Sequence, residues 1–256
     1  QQRAAARRSG MILLILLAGA FAGIQNALAG GGSFITLPAL IIAGLSPLQA
    51  NITSTVALFP GQVVTGLANR SLVSGTPQLS FPTLFTLSLI GGALGGLLLL
   101  FTPESVFARL VPWLVLFATG VFAWGSFFRK PGAPGDHLGA VSTGIAQLGI
   151  AIYGGYFGGG IGFLMLAALS LAGMQTRGGA ATKNVLAAVM NASAVLIFAF
   201  SGAVNWYEAV VLGAGAIAGG LIGAKMLSVF PENVLRVIVV LIGVALTVGL
   251  FLRPVS

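Results

Sequence analysis

Apolar runs recur along this chain from Met11 to Leu252, and nothing between them is long or charged enough to form a soluble domain. In lipid every backbone N–H and C=O needs an internal partner, so only helices and closed barrels can span. A barrel would alternate polar and apolar residues in segments of about ten, and runs such as MILLILLAGAFAG do not alternate. Of the 256 residues, 57% are hydrophobic and 6% charged, against roughly 25% charged in a typical soluble domain. The chain therefore reads as an all-α polytopic membrane protein with a single membrane domain, embedded in the lipid bilayer.

The sequence is written twice, at an offset of about 128 residues. Gly30–Gly32 corresponds to Gly158–Gly160, and Asn51–Gln62 to Ala180–Asn191. The second match pairs Thr53 with Thr182, Ser54 with Lys183 and Gln62 with Asn191. GGALGG at Gly91–Gly96 matches GAIAGG at Gly215–Gly220, and the Pro103–Glu104 start matches Pro231–Glu232. Those Pro-Glu pairs suit helix N-termini, with proline in the first turn and an acid at the positive end of the dipole. The organisation expected is a basic cytoplasmic N-terminus (1–10), a transmembrane repeat (11–128), a Pro- and Gly-containing linker (129–137) and a second repeat (138–252).

Each half divides into five apolar segments, the second of which is too short for the roughly 20 residues a span requires. These are Ser33–Leu45 and Ile161–Leu171. Two topologies follow. Eight spanning helices plus two re-entrant or half-helix segments gather Arg3, Arg7, Arg8, Arg70, Arg129, Lys130 and Arg253 on one side, which the positive-inside rule favours. The alternative is ten crossings with inverted repeats.

Short, glycine-interrupted segments at matched positions of two repeats point to a transporter binding site. Freed amides at a half-helix N-terminus suit an anion. The expected lining is Gly31, Gly32, Thr53, Ser54 and Gln62 from one half, with Gly159, Gly160, Thr182, Lys183 and Asn191 from the other. Lys183 has no acid near it in sequence, and a lysine deep in a membrane helix costs at least about 2.5 kcal/mol. Arg177 reads as a solvated loop residue. Gly95 and Gly219 read instead as helix-packing contacts.

Catalysis is not expected. The chain has no cysteine, one histidine (His137) and one aspartate (Asp136), which leaves no nucleophile–base pair and no metal or cofactor motif. No nucleotide-binding motif occurs either, so transport would draw on an ion gradient, with proton or sodium as coupling ion. No nucleic-acid partner is expected, and a homodimer is left open. A non-transporting membrane scaffold or assembly factor is the competing reading.

The Gly30–Gly32 triplet with Pro38, the run GLSPLQANITS from Gly44 to Ser54, and the second GGG with Ala180–Asn184 together resemble the sulfite exporter TauE/SafE family, also called the 4-toluene sulfonate uptake permease family. The likeness extends over nearly the whole chain, although Leu166 and Gln175 stand where the second half would repeat Pro38 and Pro47. It implies a bacterial inner-membrane transporter of small sulfur-containing or organic anions, such as sulfite or sulfoacetate.

Overall fold

The computed structural model describes residues 2–28, 31–68, 70–128, 137–226 and 232–252. It contains ten α-helices in chain order: α1 (Gln2–Leu28), α2 (Ser33–Ile42), α3 (Pro47–Ala68), α4 (Phe81–Phe101), α5 (Glu104–Ala123), α6 (Ala140–Tyr156), α7 (Ile161–Leu171), α8 (Thr176–Ala199), α9 (Trp206–Met226) and α10 (Glu232–Leu252). No strand occurs among the described residues. Five helices hold long apolar spans, within α1, α4, α5, α8 and α9. Leu13, Phe21, Leu98, Phe101, Trp113, Leu221 and Phe251 are exposed on the outside, as befits a surface that meets lipid rather than water.

Local chemistry sets the boundaries. Proline opens α3 at Pro47, and Pro103 precedes α5 with Glu104 in its first turn. Pro231, the matching proline, lies outside the described residues. Ser80 caps α4 by accepting the Thr83 N–H. The short helices end alike. Gly44 (φ +103°) follows α2 and Gly173 (φ +92°) follows α7. In each case the next N–H returns to the helix, Leu45 to the Leu40 carbonyl and Met174 to the Leu169 carbonyl. This is the glycine-terminated C-cap.

Helix directions decide between the two topologies. Side chains at Gly19 and Gly23 on α1 would collide with Leu212, then with Ala216 and Gly220, so α1 and α9 run the same way. Thr53 bonds Asn205 and Ala57 faces Gly213, so α3 also runs parallel to α9. Hence α1 and α3 share a direction, and α2 must carry the chain back between them. The same holds in the second half. Gly91 and Gly95 of α4 abut Leu148 and Ile152 of α6, while Gly92 and Gly96 abut Met190 and Ala194 of α8. The Leu138 N–H, just before α6, donates to the Leu171 carbonyl at the end of α7, at 2.9 Å.

Each half is thus five segments of alternating direction, and α7 returns the chain to the end where α6 begins. Across the halves α3 opposes α8: Gln62 meets Asn191, whereas Gly66 meets Asn184 and Val185. The lengths match the expected eight longer helices with two short segments, α2 and α7, while these helix directions fit the alternative in which the halves are inverted. The charge count misled because α3 ends opposite the start of α1, which separates Arg70 from Ser9 and removes the one-sided cluster.

The helix pairings exchange when each helix is replaced by its counterpart. Helix α1 packs on α9 while α6 packs on α4, and α3 packs on α9 while α8 packs on α4. Gly215 and Gly219 press against the Leu16 and Ala20 carbonyls, as Gly95 presses against that of Ile152. Leucine at Gly95 or Gly219 should therefore lower the thermal unfolding midpoint sharply, which a melting curve of the detergent-purified protein will show. Cysteines placed singly at Ser9 and His137 should be labelled by an impermeant reagent from opposite faces of the membrane. Labelling from one face would restore the eight-span topology.

Candidate functional site

Both helix breaks meet at one small cavity. It measures about 50 Å³ and is lined by Asn26, Gly31, Ser33, Gln62, Thr65, Gly158, Ile161, Gly162, Lys183, Asn184 and Ala187. Helices α1, α2, α3 and α8 supply the polar side chains. The two breaks supply Gly31 (φ +89°) and Gly158 (φ +77°), and the start of α7 supplies Ile161 and Gly162. The first N–H groups of a helix have no intrahelical partner, so this end of α7 presents donors. Among the described residues, no carboxylate is on the wall.

Of the residues singled out from sequence, Gly31, Gln62 and Lys183 line this cavity. The others hold the structure together beside it. The Gly32 N–H donates to Asn26 Oδ1 at 2.8 Å, and a side chain there would strike the Ala22 carbonyl and Asn26. Ser54 is hydrogen-bonded to Thr36, which staples α2 to α3. Thr53 accepts the Asn205 N–H ahead of α9, at 3.2 Å. Its counterpart Thr182 accepts the Ser74 N–H and donates to the Ser74 carbonyl, both at 3.1 Å. A Cβ on Gly159 would meet the Phe157 ring, and Gly160 packs on Ala118. Asn191 Nδ2 donates to Gln62 Oε1 at 2.7 Å, joining matched residues of the two halves.

Lys183 sits deeper than its sequence neighbours suggested. Helix α8 begins at Thr176, ahead of the apolar run, and runs through Gly178 and Gly179. Arg177 is therefore in the first helical turn rather than in a loop, and Lys183 is two turns into the helix. Backbone buried in protein or lipid has no water to bond, so helix persists through glycines that would loosen it in solvent. The lysine's side chain is partly buried, whereas that of Thr182 is fully so.

The cavity residues not anticipated leave visible traces. Thr65 follows Gln62 by three positions and Ala187 follows Lys183 by four, each on the same helix face. Asn26 interrupts an apolar helix just before the glycines. A wider recess of about 560 Å³ lies where residues 72–77 meet the 173–175 turn and Gly178. Ser74, tied to Thr182, stands on its wall and separates it from the Lys183 region.

The profile of the sulfite exporter TauE/SafE family matches residues 15–250. This chain belongs to that family. Relatives over 90–95% of its length are named probable membrane transporter proteins. A probable membrane transporter protein, ORF9, of Sinorhizobium sp is 30% identical over 252 residues, 95% of this chain and 94% of that protein. A probable membrane transporter protein of Haemophilus influenzae is 27% identical over 245 residues, 93% of each chain. The Escherichia coli probable membrane transporter protein YfcA is 25% identical over 232 residues, 90% of this chain and 85% of that one. No solved structure matches significantly. The TauE/SafE membership and the apolar helices together make this a multi-pass membrane protein of a transporter family.

Thr182 and Lys183 are adjacent but serve different ends. Thr182→Val should cost about 1–3 kcal/mol of stability by stranding the Ser74 amide, while the affinity for anions stays at the wild-type value. Chemical denaturation alongside calorimetric titration measures both quantities.

Proposed function

We propose that this TauE/SafE chain is a secondary transporter that moves a small sulfur oxyanion across the bacterial inner membrane. The observation that supports this most directly is Lys183 on the wall of a cavity that no carboxylate lines. An ammonium taken out of water without a counter-charge is destabilising by several kcal/mol, and an arriving anion offsets that cost. The α7 N-terminus, whose Ile161 and Gly162 also line the cavity, adds backbone donors and a favourable dipole.

Size narrows the choice. The cavity is small, about 50 Å³, which favours a compact ligand. Sulfite has four heavy atoms. Sulfoacetate has twice as many. Sulfite is accordingly our first candidate and organosulfonates the second, with proton or sodium gradient as the energy source. In this reading the protein performs no covalent chemistry on its cargo.

Proteoliposomes test the proposal against a non-transporting scaffold. Sulfite, sulfoacetate, taurine and simple carboxylates are offered in counterflow. Wild-type protein should exchange sulfite, and Lys183→Ala should weaken its binding at least about tenfold while Thr182→Val does not. If the wild-type protein neither moves nor binds any of these anions, the scaffold reading replaces ours.

A further inference from the structure

The two amides on the cavity wall are both oriented by their protein partners. Asn26 Oδ1 accepts the Gly32 N–H at 2.8 Å. A backbone amide can only donate, so the carboxamide must turn its oxygen to Gly32 and leave its NH₂ as the free end. Gln62 on α3 is held in the same sense from the other half, its Oε1 accepting from Asn191 Nδ2 at 2.7 Å. Asn191 is buried, with only 3% of its surface exposed. Both Asn26 and Gln62 line the cavity with Lys183. Each oxygen already accepts one protein hydrogen bond, which turns the NH₂ end toward a ligand.

We infer that Asn26, with Gln62 opposite it, is a specificity-determining residue that makes the site accept fully deprotonated oxyanions and reject ligands whose facing oxygens carry a proton. This rests on the anion reading above and deepens it. Asn26 also occupies the place where an anion would otherwise meet the N-terminus of α2. Its oxygen takes the Gly32 amide, and its NH₂ presents the helix's positive end to the cavity one bond removed. The repeat supports the assignment by contrast. Gly154 stands at the position matching Asn26, and there the start of α7 itself lines the cavity through Ile161 and Gly162. One half offers bare amides, the other an amide side chain, and both offer donors.

Substitution by the isosteric acid separates this role from a structural one. In Asn26→Asp one carboxylate oxygen still accepts the Gly32 N–H, while the other turns a negative acceptor toward the ligand. Gln62→Glu does the same from α3, keeping the bond from Asn191. The full-length protein in nanodiscs is titrated with sulfite in buffer alkaline enough to keep it a dianion, and thermal midpoints are recorded. We expect each acid variant to melt close to wild type and to bind sulfite at least about tenfold more weakly.

Wild-type affinity in folded Asn26→Asp, with Lys183→Ala defective, overturns the inference and leaves the anion site standing. Wild-type affinity in all three variants overturns the site as well. If Asn26→Asp does not fold, folded Gln62→Glu decides the matter alone: retained affinity for sulfite refutes a donor-only wall, and its loss upholds it.

Discussion

Two backbone contacts hold this molecule in register, α1 against α9 and α4 against α6. Each joins a helix of one half to a helix of the other, and in each the glycines let main chain touch main chain. Helix association in lipid gains little from apolar burial, because the tails are as apolar as the side chains. Close packing must supply the energy instead. The inverted halves are therefore bound by exchanged partners, and neither half makes its principal contacts within itself. The cavity follows from this, since it forms where α3 and α8 are brought face to face.

Polar side chains inside the bundle divide into two groups. Thr36, Thr53, Ser54 and Thr182 satisfy other protein groups, stitching helices to the loops and turns of their own or the opposite half. Asn51 belongs with them, its amide donating to the Tyr156 carbonyl at the end of α6, at 3.0 Å. Asn26, Gln62 and Lys183 retain capacity toward the cavity.

The all-helical membrane fold, the matched glycine breaks and the short segments after them were legible from hydropathy and repetition. So was the packing role of Gly95 and Gly219, because GGALGG and GAIAGG carry no polar group that could do anything else. Helix direction was not. A short apolar run reads the same whether it dips or returns, and basic residues near helix ends do not separate the cases when the halves are inverted. Within the site, Lys183 and Gln62 stood out as costly polar groups in apolar company. Thr53, Ser54 and Thr182 looked the same but bond to Asn205, Thr36 and Ser74, partners 18 to 152 residues away that composition cannot disclose. Asn26 was passed over because its value lies in a bond to Gly32 across a turn whose shape the sequence left open.

The halves match in architecture but not in charge. Ser54 occupies in the first half the place Lys183 holds in the second, so among the described residues lining the cavity the second half alone contributes a charge. In a transporter whose halves exchange shape, that lysine is the element on which the membrane field acts, at up to about 2.3 kcal/mol per charge per 100 mV. On the transport reading proposed above, the empty site would carry one positive charge and the site holding a dianion one negative, so voltage would push the loaded and unloaded protein in opposite directions.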